Sequence, residues 1–187
     1  MNIFYLDSNP KSNAEQHCDK HVVKMILEYA QLLSTAHRVL DGVESVAMTS
    51  SGRKQKVWKL EDPSLDDALY KATHMNHPSA VWARKSYKNY VHLHQLFYYL
   101  CKEYTNRYGK IHSTERLMGE LYVPPVNIDT KAPFTEPPPA MPDYCKVPGN
   151  SVASYRNYYI NEKNRFAKWK TKEPTWYVEG VKVSANV

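Results

Sequence analysis

Seven side chains near the start of the chain are of the kinds that move protons and hold charge: His17, His21, Lys24, Glu28, Gln31, Thr35 and Arg38. They follow one another at alternating steps of four and three residues, the spacing that puts side chains on one face of a helix. An acid one turn from an amine, with two imidazoles on the same line, suits proton transfer or the stabilisation of a developing cation. The same residues also suit a structural Lys24–Glu28 pair closing a polar seam. His17 and His21 have the spacing of two metal ligands on one helix, but no HExxH motif and no third ligand accompany them, so no metal site is expected.

The element carrying this stripe is otherwise largely apolar. Val22, Met25, Tyr29, Leu32, Ala36 and Val39 form a second line, and Val23, Ile26, Ala30 and Leu33 a third. A helix apolar on most sides is expected to be buried, which turns its polar seam toward a cleft or an internal network. The spacing predicts this first helix from about Ser12 to Leu40, ending near Asp41-Gly42, after a short extended start, MNIFYL, and a turn at Asp7-Ser8-Asn9-Pro10. Residues 43–63 are polar, without regular pattern, and include Arg53, Lys54, Lys56 and Lys59. A short helix over 64–73 follows. Asn76-His77-Pro78-Ser79 opens a second long helix, 79–107, which Gly109 closes.

Eight of the twelve prolines lie between Pro124 and Pro148. Such a stretch can be neither regular helix nor central strand, and it reads as a long loop wrapping one domain rather than as a linker. A third helix is expected over 151–170, followed by EPTWYVEGVKV. The expected fold is therefore mainly α: a single compact domain, 1–187, of three long helices with a short extended N-terminal segment and a proline-rich loop at 124–148.

A chain of 187 residues with 42 % hydrophobic content can bury a substantial core. It lacks the run of about 18 apolar residues that a membrane span needs. The N-terminus has no basic region leading into an apolar one, so a cytoplasmic protein is expected, in a host cell if the chain is phage-encoded. Cys18, Cys101 and Cys145 are scattered without CxxC spacing, which gives no zinc-ribbon or redox signature. The net charge of +6 is uneven: 51–110 carries +6 and 151–187 carries +4, whereas the other two stretches are each −2. Two basic zones meeting on one face suit a phosphate-rich partner; a solvated lysine-rich surface is the plainer alternative. Within 151–177, Arg156, Lys163, Arg165, Lys168, Lys170 and Lys172 accompany Trp169, Trp176 and Tyr177. Cations bind phosphate and aromatics stack on unpaired bases, although aromatics at helical spacing equally build cores.

Three segments together resemble the phage pyrimidine-dimer DNA glycosylase/AP lyase family of the endonuclease V type. Asp19-Lys20-His21-Val22-Val23-Lys24-Met25-Ile26-Leu27-Glu28 is similar to that family's first-helix pattern of acid, one residue, His, and then a catalytic Glu seven later. Leu100-Cys101-Lys102-Glu103 is similar to the end of its central helix. Glu173-Pro174-Thr175-Trp176-Tyr177, after a basic segment containing Arg165, resembles a C-terminal Pro-Thr-Trp-Tyr element. The likeness covers about half the chain in short pieces, with 43–75 and the proline-rich loop as insertions.

The resemblance implies a helical protein that excises a damaged or modified base from double-stranded DNA, as a monomer, with neither cofactor nor metal. An N-terminal α-amine would attack the sugar C1′ and form a Schiff base, Glu28 would assist, and β-elimination would cut the strand. An ordinary α-amine titrates near about 7.7–8.0, so part of it is a neutral nucleophile at neutral pH. The implied catalytic set is Glu28, Met1, His21 and Lys24, and the implied DNA contacts are Asn2, Arg165, Lys168, Lys170, Lys172, Trp176 and Tyr177. Two positions depart from the family pattern. Asn2 replaces a small second residue, which leaves the amine of Met1, or else that of Lys24, as nucleophile. Leu27 and Gln31 stand where the family flanks its Glu with arginines. A non-catalytic nucleic-acid-binding protein of the same fold, and an interaction factor docking a partner through the proline-rich loop, are the rival readings.

Overall fold

The computed structural model describes residues 1–184. Among them are seven α-helices and one two-stranded sheet, so the chain is mainly α. Each of the three long helices expected from the spacing is, however, interrupted, and each interruption has a local cause.

The first becomes α1 (Pro10–Gln16) and α2 (Asp19–Asp41). Asn9 caps α1 by accepting from the Lys11 and Ser12 amides, with Pro10 at the first helical position. His17 and Cys18 then turn extended. The His17 ring bonds back to the Asn13 carbonyl, 2.8 Å from Nδ1, instead of carrying the helix onward. The second long helix becomes α4 (Pro78–Lys85) and α5 (Tyr87–Tyr108). The break is at Ser86, whose hydroxyl accepts from the Asn89 amide and so caps α5. Gly109 closes α5 at φ 63°, a left-handed conformation that glycine adopts without steric cost. The third keeps only α6 (Ser151–Tyr158), continues as a π turn (Tyr159–Lys163) and then runs without helix to α7 (Thr175–Ser184). The Lys168 carbonyl accepts from the Asp19 amide, and the Lys170 amide donates to Asp19 Oδ1, which draws this segment across the start of α2.

Residues 43–63 are not irregular. They contain an antiparallel hairpin, β1 (Val43–Met48) and β2 (Lys54–Lys59), in register from Val43↔Lys59 to Met48↔Lys54. The short helix expected over 64–73 is α3 (Pro63–Ala68). Gly42 makes the turn from α2 into β1, where a Cβ would stand 2.5 Å from the Arg38 carbonyl oxygen and 3.1 Å from Trp58 Cβ.

One core unites these parts: it runs from Ile3 through α2, α4 and α5 to Tyr155, Tyr159 and Tyr177. The hairpin lies outside it except at its base, where Leu60 joins the core. MNIFYL is extended but pairs with no strand. Side chains satisfy its backbone instead: Phe4 N–H donates to the Tyr29 hydroxyl, Leu6 N–H to Asn13 Oδ1, and the Leu6 carbonyl accepts from Arg156 Nε. The proline-rich stretch 124–148 is a loop with one short 3₁₀ turn, Asp143–Cys145. It is fastened to α4, α5 and α6: Trp82 Nε1 donates to the Thr135 carbonyl, Thr135 N–H to Asn89 Oδ1, and the Tyr155 hydroxyl to the Pro138 carbonyl. The three cysteines are buried and unpaired. Among the described residues, no helix is long and apolar enough to cross a membrane.

Candidate functional site

The stripe does not stay together as one site: His17 falls in the break between α1 and α2, and the tertiary structure divides the stripe into three. His17, fully buried, belongs to the core. Its Nδ1 pairs with the Asn13 carbonyl and its Nε2 lies 3.2 Å from the Tyr29 hydroxyl, so Tyr29 donates to His17 while accepting from Phe4 N–H. Burial, chiefly, lowers the His17 pKa to about 4, which keeps the ring neutral and fixes this direction of donation. His17 therefore holds the N-terminal segment in place through Tyr29 and lines no cleft.

Arg38, at the other end, is a structural clamp with no exposed surface. Its guanidinium donates to the carbonyls of Tyr70, Trp58, Asp66 and Leu69, and Nη1 is 2.5 Å from Asp66 Oδ1. The Leu60 amide, first, and the Arg38 hydrogen bond hold the Asp66 carboxyl below the usual carboxylate range. This fastens the base of the hairpin and α3 to α2. Thr35 accepts from the Thr73 amide at 3.2 Å and fixes the approach to α4.

The middle of the stripe is the site. His21, Lys24 and Glu28 line a cavity of about 330 Å³ with Met1, Asn2, Phe4, Lys20, Tyr158, Lys163 and Phe166. The α-amino nitrogen of Met1 is 3.8 Å from Glu28 Oε2, and Lys24 Nζ is 3.1 Å from Oε1. The two residues differ in setting: the Met1 side chain is 6 % exposed and that of Lys24 66 %. The exposed Lys24 faces one carboxylate oxygen and the Met1 α-amine the other. Met1 sits there because residues 3–6 are locked into the core by Tyr29, Asn13 and Arg156.

The cavity wall is aromatic. His21 stacks on Phe4 with ring centroids 4.1 Å apart, and Tyr158 lies nearly parallel to Phe4 at 6.2 Å. Phe166 meets the edge of His21 at 5.6 Å. His21 Nδ1 is 2.5 Å from the Tyr159 hydroxyl. Burial, and then the charges of His17, Lys163 and Lys24, push the His21 pKa down to about 2. His21 is thus a neutral, fixed wall and not a proton donor at neutral pH. Glu28 is the one carboxylate lining the cavity among the described residues.

Three lysines supply positive charge there. Lys163 donates to the Tyr158 hydroxyl at 2.9 Å, Lys20 lies 5.1 Å above the Phe166 ring, and Lys24 completes the set. A flat aromatic wall with lysines around it suits a planar base flanked by phosphates.

The remaining expected contacts divide likewise. Asn2 lines the cavity, but its amide donates to the Ala140 carbonyl at 2.7 Å, tying it to the proline-rich loop. Arg165, Lys168, Lys170 and Lys172 lie on the segment that crosses the start of α2 and are exposed, whereas Phe166 in the same run is half-buried and Ala167 and Trp169 are buried. Tyr177 is instead a core residue, 7 % exposed, its ring 4.7 Å from that of Trp169, which leaves little surface for stacking on a base. Trp176 is half-buried, with Nε1 donating to Gln16 Oε1 and the Arg156 guanidinium 5.3 Å above its ring. Asp19, the acid of the first-helix pattern, is a latch: it accepts from Arg107 at 2.9 Å and from the Lys170 amide at 3.0 Å. Val23, expected in the third apolar line of α2, is 40 % exposed, and Leu27 beside Glu28 is 38 % exposed.

Five members of the cavity are absent from the expected site: Phe4, Lys20, Tyr158, Lys163 and Phe166. Lys20 lies on α2 itself; the other four come from the two ends of the chain, and only packing brings them to α2. His77 was legible only as a cap of α4, whose Nδ1 accepts from the Ser79 amide. Its pKa is lowered by burial and then by the Met1 α-amine and His74, against Glu28, so it lies within electrostatic reach of the amine–carboxylate pair. Comparison with known proteins adds no family to this geometry: no family model matches the chain, and no curated protein or solved structure matches it.

Proposed function

We propose that this protein is a DNA N-glycosylase, with AP-lyase activity when the amine acts as nucleophile, working on a damaged or modified base in double-stranded DNA. One observation carries the reading: the Met1 α-amine lies 3.8 Å from a carboxylate in a cavity walled by aromatic rings and lysines. In the neutral form the Met1 nitrogen attacks C1′ of a nucleotide drawn out of the duplex, and the glycosidic electron pair leaves with the base. Glu28 stabilises positive charge on the sugar as that bond breaks and takes up the proton that the attacking amine sheds. Tyr158 and Phe166, half-buried on the cavity wall and backed by Phe4 and His21, provide the surface for the extruded nucleotide, and Lys20, Lys24 and Lys163 hold its flanking phosphates.

The test is borohydride trapping on duplex DNA containing an abasic site, followed by peptide mapping of the adduct. The expected adduct is on the α-nitrogen of Met1. Glu28→Gln is expected to lower base excision by about 10²–10⁴-fold, the range for a positioned acid–base group. Lys24→Met should still trap, since Lys24 is the exposed partner of the carboxylate; an adduct on Lys24 would move the nucleophile there. No adduct on any abasic duplex, with salt-sensitive DNA binding that ignores Glu28→Gln, would sink the enzymatic reading and leave a nucleic-acid-binding protein.

A further inference from the structure

The hairpin β1–β2 is exposed along both faces, with only Val57 and Trp58, near its base, shielded from solvent. Val43, Val46 and Met48 are 73 %, 64 % and 63 % exposed. A lone two-stranded hairpin is marginal in water. This one is held at both ends. At the base, Arg38 Nη1 donates to the Trp58 carbonyl at 2.9 Å, and the Leu60 amide donates to Asp66 Oδ1 at 2.9 Å. At the tip, Thr49 N–H donates to the Arg53 carbonyl, Arg53 N–H to the Thr49 hydroxyl, and Gly52 turns the chain at φ 75°.

A fully buried arginine is therefore committed to anchoring an arm that contributes almost nothing to the core. The arm is basic. Between Val43 and Lys59 it carries Arg53, Lys54, Lys56 and Lys59 against the single acid Glu44. Lys56 pairs with Glu44 at 2.6 Å; among the described residues no carboxylate pairs with Arg53, Lys54 or Lys59.

We propose that this hairpin is a second DNA-binding element, a basic β-ribbon that grips the duplex away from the reacting nucleotide. The inference rests on the reading of the substrate as double-stranded DNA. A two-stranded ribbon fits the major groove of B-DNA, and its free cations match the phosphates of the groove walls. The distance is suitable. α2 carries both Glu28 and the entry to the hairpin at Gly42, which at 1.5 Å per residue are about 21 Å apart along the helix axis. That is about six phosphate spacings on one strand. A rigid helix thus fixes the separation between the cavity and the arm.

The experiment measures binding of the full chain to duplex DNA between about 50 and 200 mM salt, with Arg53, Lys54 and Lys59 changed together to Gln. Removing one phosphate interaction lowers the slope of log K against log salt by about 0.9, so the variant should show a slope smaller by about two to three units. Replacing Lys54 and Lys59 by Arg should keep the wild-type slope. The melting temperature should stay at the wild-type value, as expected for changes at exposed residues. Borohydride trapping at saturating protein should be unchanged. A wild-type slope in the Gln variant overturns the ribbon while leaving the glycosylase reading intact. Hairpin-dependent binding to duplex RNA or to phosphatidylserine vesicles, with DNA binding unaffected, overturns it in favour of those partners. Failure of the wild-type chain to bind DNA at low salt overturns it too, and the trapping assay separately judges the chemistry.

Discussion

Replacing Tyr29 by Phe removes one oxygen from the core and should disturb both the stability of the protein and the position of its amine. The hydroxyl is fully buried. It accepts from Phe4 N–H at 3.0 Å and donates to His17 Nε2 at 3.2 Å. Neither partner has a ready substitute: Phe4 is 5 % exposed, and the second nitrogen of His17 is already committed to the Asn13 carbonyl. A buried polar group left unpaired costs about 1–3 kcal/mol, and two are orphaned here, with some relaxation around them. A loss of about 3 kcal/mol follows, which for a chain of this size lowers the melting temperature by about 6–12 °C. The same change frees the backbone three residues from Met1, so the α-amine should no longer stay beside Glu28. Urea unfolding gives the first number, and the rate of borohydride trapping on abasic duplex gives the second. Trapping should slow by about tenfold or more, since loss of near-attack geometry alone has effects of up to about 10²-fold. A loss below about 0.5 kcal/mol together with unchanged trapping would refute the idea that the His17–Tyr29 pair positions the N-terminus.

Two further outcomes concern other buried polar groups, Arg38 of the stripe and the rings of His17 and His37, the latter a buried residue of α2 beside Arg38. Arg38→Met should cost about 3–5 kcal/mol in urea unfolding, because it removes the buried ion pair to Asp66 and leaves several buried carbonyls without donors; a loss under about 1 kcal/mol would show that the clamp is dispensable. Acid should destabilise the fold below neutrality. His17 and His37 are neutral in the folded state with pKa values near 4, lowered chiefly by burial. Unfolded, they bind protons below their ordinary value of about 6.5, so the unfolded state takes up more protons between about 6.5 and 4. Their contribution is complete above that window and is lost as pH falls through it, by up to about 1.4 kcal/mol per pH unit for each ring. Stability measured across this window should therefore decline on acidification, and a flat profile would contradict the burial of these rings.

The alternating steps of four and three marked α2, and the apolar lines beside it identified Met25, Ile26, Tyr29 and Leu33 as core, as observed. That much is legible because helical periodicity is a local property of the chain. Gly109 and the proline-rich stretch were legible for the same reason: a residue's own dihedral limits decide a helix end or a loop. The helix breaks at His17 and Ser86 were not. Each depends on whether a polar side chain turns back to the backbone, a choice made by its surroundings. The hairpin was hidden because neither of its faces is buried over most of its length, so no alternation was imposed on its sequence.

For the site, the sequence determined the residue types on α2 and that they share one face. It did not determine which of them act together. His17, Glu28 and Arg38 look equivalent along a helix, and the tertiary structure makes the first a core hydrogen-bonding group, the second a cavity carboxylate and the third a buried clamp. The cause is long-range packing. The extended N-terminus delivers Met1 and Phe4, and the end of α6 with the turn after it delivers Tyr158, Lys163 and Phe166, to one short stretch of α2. Contacts between residues so distant in the chain leave no periodic trace in its sequence, whereas the polar stripe they meet does.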